Sequence, residues 1–202
     1  NYRGKRPKVI LSPALHPQYR QTVRTYSASS PVILTGDEPE NNPAAGPEAL
    51  LPLVDMNTAL VVVQYPDFFG RVYDYTQLAQ AVHAMGALLA IAVNPIALGL
   101  LKTPGEMGAD IVTGEGQSLG IPLSFGGPYL GLFATRKEYV RKMAGRLVGE
   151  SVDNRGQKAY VLPLTAREQH IRREKATSNI CSNQGLIALA SAVYMSLLGK
   201  NG

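Results

Sequence analysis

TALVVVQYP (58–66) is the stretch on which the fold turns. Its β-branched residues run on without polar alternation, as in a strand buried on both faces of a parallel sheet. A second such run, ALLAIAV (87–93), follows it. Between them, from Tyr73 to Met85, the residues Leu78, Ala81, Val82 and Met85 fall at helical spacing, and Gly86 stops the helix. Strand, helix and strand at these lengths make a βαβ unit. Working outward, PKVILSP (7–13) and PVILTG (31–36) read as strands flanking a helix in HPQYRQTVRTYSA (16–28). DEPENNPAAGPE (37–48), acidic and proline-rich, reads as a surface loop. ADIVT (109–113) and YLGLFAT (129–135) add two more strands, and a last helix over 182–198 carries Leu186, Leu189, Ala190, Val193 and Leu197 on one face. There is no internal repeat. The succession predicts a single α/β domain over 1–202, with a mainly parallel sheet and helices on both faces.

Composition narrows the function classes. With 202 residues, 45% hydrophobic and 17% charged, the chain can build one sizeable core. The longest nearly uncharged run, 86–101, is interrupted by Asn94 and Pro95 and is short for a membrane helix, so no membrane is expected. The lone Cys181 allows neither an internal disulfide nor a CxxC metal knuckle, which points to a reducing compartment and hence to the cytoplasm. His16, His83 and His170 stand far apart, without acids at ligand spacing, and predict no metal site. Neither end, NYRGKRPKVILSP or LLGKNG, reads as a finished domain boundary, so a segment of a longer protein is expected.

The net charge of +5 is concentrated in RKEYVRKMAGR (136–146) and REQHIRREK (167–175). Such a field attracts an acidic protein, a phosphorylated ligand or a nucleic acid. Neither cluster is accompanied by an RNP-type aromatic strand, zinc-finger spacing or a helix-turn-helix pattern, so nucleic acid is not expected. The first cluster reads as a solvated helix face. A basic module for polyanions stays open as an alternative.

The glycine-rich stretch GEGQSLGIPLSFGGPYLG (114–131) lies where open α/β sheets bind ligands, beyond the carboxyl end of a strand. It fails as a dinucleotide fingerprint. Gly114, Gly116 and Gly120 are one residue out of step, and IPLSFGGPYLG leads into a strand instead of the helix whose N-terminus would face a pyrophosphate. What it retains is the capacity for close backbone approach.

GADIVTGEGQSLGIPLSFGGPYLGLFATRKEYVRKMAGRLVG, followed by TAREQHIRREKATSNICSNQGLIALASAVYMSLLG, resembles the glycine dehydrogenase (decarboxylating) family, the P-protein of the glycine cleavage system. VVVQYPDFFGRVYD and VNPIALGLLKTPGEMGAD extend the resemblance over nearly the whole chain, and ALASAVYMSLLGKNG is more like its separate α chain, subunit 1. Departures are mild: Asp67 stands where the family usually has Asn, Ala144 where it usually has Pro, and LPLTAREQ where it usually reads LTLQTREQ. The resemblance implies the large domain of a pyridoxal-phosphate-dependent transferase of fold type I, aspartate-aminotransferase-like. It implies an enzyme complex, an oxidoreductase by class, that decarboxylates glycine and passes the aminomethyl group to the lipoyl group of H-protein.

In that fold a lysine holds the cofactor after the strand that ADIVT would form, and an aspartate on the preceding strand faces the ring nitrogen. Gln117 and Ser118 stand at the first place, and ALLAIAV offers only Asn94 past its end. Lys102 and Lys137 lie outside the loop. The expectation is therefore that pyridoxal phosphate sits covalently on a β-chain partner, subunit 2, in a heterotetramer. Thr177 and Ser178 would reach the partner's cofactor phosphate in trans, although either can equally be an N-cap. His170, flanked by arginines, is a candidate for acid–base work or for an interface network; His16, before Pro17, falls where the fold places the cofactor ring, and His83 reads as packing. Arg167, Arg172, Arg173 and Lys175 read as interface partners for Glu168 and Glu174. An independent pyridoxal-phosphate enzyme using another lysine is the remaining alternative, and the isolated segment is expected to be inactive.

Overall fold

A computed structural model describes residues 6–143, 147–163, 169–176 and 183–201. Six strands form the main sheet: β1 (Lys8–Leu11), β2 (Ile33–Thr35), β3 (Thr58–Tyr65), β4 (Leu88–Val93), β5 (Ile111–Glu115) and β6 (Gly131–Thr135). Their order is β2-β1-β3-β4-β5-β6, parallel throughout except that β6 runs antiparallel to β5.

Two α-helices cover opposite faces. α1 (Pro17–Ser27) starts at a proline with its missing donor in the first turn, and the His16 ring nitrogen Nδ1 accepts the Gln18 amide. α2 (Thr76–Ala84) starts three residues later than the apolar spacing predicts, because Asp74 captures both the amide and the hydroxyl of Thr76 and fixes the first turn there. Its Leu78, Ala79 and Val82 join Val61, Val63 and Tyr65 of β3, Leu89 and Ile91 of β4, and Leu50 of the 3-10 segment Pro47–Leu53 in the larger core cluster. Each of these large aliphatic side chains contributes about 1.5–3 kcal/mol on burial.

The other face is thinner. Leu11, Leu15 and Ala92 form its buried centre, with Val23 of α1, Val62 and Leu34 packed against it. β3 is consequently not buried on both faces, as its apolar run predicts: Val61, Val63 and Tyr65 are buried, whereas Leu60, Val62 and Gln64 are half-buried. α1 alone is too narrow to seal their side.

Beyond β6 the hairpin and the turns depart from the sequence reading, whereas the last helix stands where it was expected. β7 (Gly149–Val152) and β8 (Lys158–Val161), in a stretch left unassigned by pattern, pair as an antiparallel hairpin around the Asp153 side chain, which accepts the Arg155 and Gln157 amides. The basic run after β6 is a 3-10 turn, Lys137–Lys142, instead of a solvated α-helix, and residues 144–146 lie outside the description. α3 (Gln169–Arg172) is a single turn, while α4 (Asn183–Leu198) presents Ile187, Ser191 and Tyr194 inward. The broader apolar face of α4 remains exposed, with Leu186 at 71%, Leu189 at 60% and Leu197 at 83%.

Candidate functional site

The carboxyl ends of the parallel strands converge on one edge of the sheet, and each leads into a segment whose position is fixed by side chains. After β1, the His16 amide donates to Gln64 Oε1 of β3 at 2.8 Å. The His16 ring packs 4.9 Å from Tyr19 and edge-on to Phe68 at 5.0 Å. After β4, Asn94 receives the Ile96 amide at 3.1 Å and so closes the turn. After β5, Glu115 Oε1 accepts the amides of Gln117 and Leu130, both at 3.0 Å, and ties the two ends of the glycine-rich loop together.

Between these ends Tyr19, Ala92, Thr113, Gly114 and Glu115 line a shallow hollow. Among the described residues its only charged side chain is the Glu115 carboxylate. Gln117, the first residue of the pair standing at the expected lysine position, turns its amide nitrogen to the Ile121 carbonyl. Lys102 does not line the hollow, and its ammonium pairs with Asp74 at 2.9 Å and donates to the Thr76 hydroxyl. The glycines of the loop serve packing: a Cβ on Gly116 would meet the Leu130 side chain, and at Gly120, where φ is +81°, it would collide with the Tyr194 ring of α4. These contacts account for the loop without a phosphate.

A second set of charges stabilises the strand that carries the loop. Asp110, 2% exposed and just ahead of β5, accepts the Leu89 amide at 2.8 Å, lies 2.7 Å from His83 Nε2 and pairs with Arg136 Nε at 3.1 Å. Arg136 also donates to the Gly108 and Ala109 carbonyls. Arg136 is thus anchored to the fold although exposed, and Lys137, Arg141 and Lys142 beside it are solvent-exposed as the sequence predicts. His83, whose place among alanines predicts packing, is instead a polar member of this cluster through its contact with Asp110. Sequence reasoning missed Asp110; the Gly-Ala-Asp stop before an apolar run is the only local signal for it.

Of the residues singled out for the partner's site, Thr177 and Ser178 lie outside the described residues, as do Arg167 and Cys181. His170 lies on the single turn α3, and its side chain is likewise outside the description. Among the described residues no helix is long and apolar enough to cross a membrane.

The parallel sheet closed by one antiparallel strand, with its hollow at the carboxyl ends of β4 and β5, belongs to the fold-type-I class of pyridoxal-phosphate-dependent transferases. In fold alone it is similar to cystathionine gamma-lyase from Lactobacillus plantarum, with a TM-score of 0.52 and 15% identity over 69% of this chain and 35% of that one. It is far more similar to a glycine decarboxylase (P-protein) of the glycine cleavage system in inhibitor-bound form, with a TM-score of 0.84 and 44% identity over 98% of this chain and 44% of that one. The family model of the glycine cleavage system P-protein matches residues 1–202, and the chain belongs to this family. It is 55% identical to the probable glycine dehydrogenase (decarboxylating) subunit 1 of Desulforamulus reducens and 53% identical to that of Thermomicrobium roseum. In each case 98% of this chain is covered, and the chain spans 44% of the relative's length.

Proposed function

We propose that this chain is a portion of subunit 1 of a glycine dehydrogenase (decarboxylating), working inside a cytoplasmic heteromer whose β-chain partner carries the pyridoxal phosphate. The cofactor's pyridine ring supplies the electron sink for glycine decarboxylation, and the aminomethyl group passes to the lipoyl group of H-protein. The observation that carries the reading is the hollow at the ends of β4 and β5. Among the described residues it has no lysine or arginine in its lining and the Glu115 carboxylate is its one charge, while the Gln117 amide is committed to the Ile121 carbonyl. This donor set does not fit an anionic phosphate cofactor held through a lysine, so no chemical step is assigned to the hollow itself. Similarity to relatives named as subunit 1 supports the same division of labour.

On this reading the chain acts on its partner's site from outside. Thr177 and Ser178, ahead of α4, are proposed to donate to the phosphate of the partner's cofactor, and His170 to belong to the charged network between the chains. An independent enzyme using Lys102 is disfavoured because Lys102 is not among the residues that line the hollow. The test is reconstitution with a β-type partner and measurement of glycine-dependent exchange of carbon dioxide. Activity should require both chains. Thr177→Ala, Ser178→Ala should weaken cofactor retention by about tenfold, the value of one or two lost charge-assisted hydrogen bonds. Activity of this chain alone, or unchanged cofactor retention in the double variant, would refute the proposal.

A further inference from the structure

The topology singles out a second place for a ligand. β1 leads into α1 on the thinner face of the sheet, whereas β3 leads through 66–75 into α2 on the opposite face. Neighbouring strands whose connections part in this way leave a crevice at their carboxyl ends, the general location of ligands in open parallel sheets. A cavity of about 90 Å³ lies there. Ser12 and Ala14 border it from the end of β1, Val63 and Asp67 from β3, and Tyr73 and Tyr75 from the approach to α2. It shares no lining residue with the hollow beside Tyr19 and Glu115.

The roof is the acidic loop, and it is fastened at both ends. Glu38 accepts the Thr35 hydroxyl, the Gly36 amide and the Asn41 side-chain amide, each at 2.7 Å. Arg71 donates to the Pro43 and Ala44 carbonyls while its Nε pairs with Asp67 at 2.7 Å. The loop therefore spans the crevice as a preformed cover, which lowers the ordering cost of binding beneath it.

We infer that this crevice binds a small uncharged molecule carrying both a hydrogen-bond donor and an acceptor, of which a primary carboxamide is the simplest. Among the described residues no lysine, arginine or histidine lines the cavity. Its one buried charge, Asp67, is matched by Arg71 and also receives the Phe69 and Arg71 amides. An anion would meet no counter-charge, and a cation would compete with a guanidinium already in place over the Phe69 and Tyr73 rings. Hydrogen-bonding capacity of both kinds remains. Asn41 spends its amide nitrogen on Glu38 and keeps its oxygen. Asn42 spends its oxygen on the Ala44 amide and keeps its nitrogen. Tyr73 Oη has no hydrogen bond among the described residues. A carboxamide reads an acceptor and a donor together while its alkyl end meets Ala14, Leu50 and Val63.

The experiment titrates acetamide into the 202-residue chain by saturation-transfer NMR, with acetate and ethylammonium as charged molecules of similar size. Saturable acetamide binding with a Kd on the order of 10 mM is expected, within the ceiling for so few atoms. Ala45→Met, which fills the cavity from a half-exposed position, should abolish it, and Tyr73→Phe should weaken it about fivefold, the value of one hydrogen bond. Circular dichroism checks that each variant keeps its fold. Absence of saturable acetamide binding, binding retained in a folded Ala45→Met, an unaltered Kd in Tyr73→Phe, or equal binding of acetate or ethylammonium would each overturn the inference.

Discussion

Asp110 is the single side chain on which most of the loop-bearing strand depends. It is 2% exposed and joins a backbone amide, an imidazole and a guanidinium from three separate parts of the chain. Asp110→Ala leaves Arg136 and the Leu89 amide without their partner and should cost about 3 kcal/mol of stability, measured by urea unfolding. Asp74 carries the pH response at the start of α2. The Lys102 ammonium, then the Thr76 hydroxyl and amide, hold its carboxyl down to about 2. Because the folded value lies below the unfolded one, its contribution is complete above the ordinary carboxylate range near pH 4 and is lost as the pH falls through 2. A carboxyl NMR titration should place the Asp74 midpoint near 2, and Lys102→Met should move it upward. The carboxylate is 57% exposed, so the effect on overall stability is small.

At the scale of elements, the glycine-rich loop and α4 are coupled through one contact. Gly120 has φ of +81° and no room for a Cβ beneath the Tyr194 ring. Gly120→Ala should therefore destabilise the chain by about 2 kcal/mol, from the left-handed backbone and the displaced ring together, with chemical-shift changes centred on Tyr194. Continuous apolar runs made β3 and β4 legible before any coordinates, and the spacing of Leu78 and Val82 did the same for α2. The β7–β8 hairpin was not legible: its strands are four residues each and largely exposed, so burial imposes no pattern on them. The stripe of Leu186, Leu189 and Leu197 on α4 was legible as one helical face, whereas its exposure was not, since spacing alone does not say what covers a face. The Asp110 cluster eluded local reading because His83 and Arg136 each lie more than twenty-five residues from it. Of the candidate site, the lack of a lysine after β5 was readable from Gln117 and Ser118, whereas Glu115 as the brace of the loop was visible only in three dimensions.

The whole molecule combines a family sheet with a hollow at the carboxyl ends of β4 and β5 that, among the described residues, carries one carboxylate and no cation. Its larger core lies on the α2 face, while the α1 face and the outer side of α4 leave apolar groups uncovered. The chain spans 44% of the length of its subunit 1 relatives. Membership of the P-protein family and the lack of a lysine between Lys102 and Lys137 together support the proposal that the cofactor is held by another chain. The direct measurement is to add pyridoxal phosphate to this chain with and without a β-type partner, reduce with borohydride and map the labelled lysine by mass spectrometry. A label is expected on the partner and none on Lys102, Lys137 or any other lysine of this chain. A site-specific, stoichiometric label on a lysine of this chain in the absence of the partner would contradict it and make this polypeptide the cofactor-bearing one.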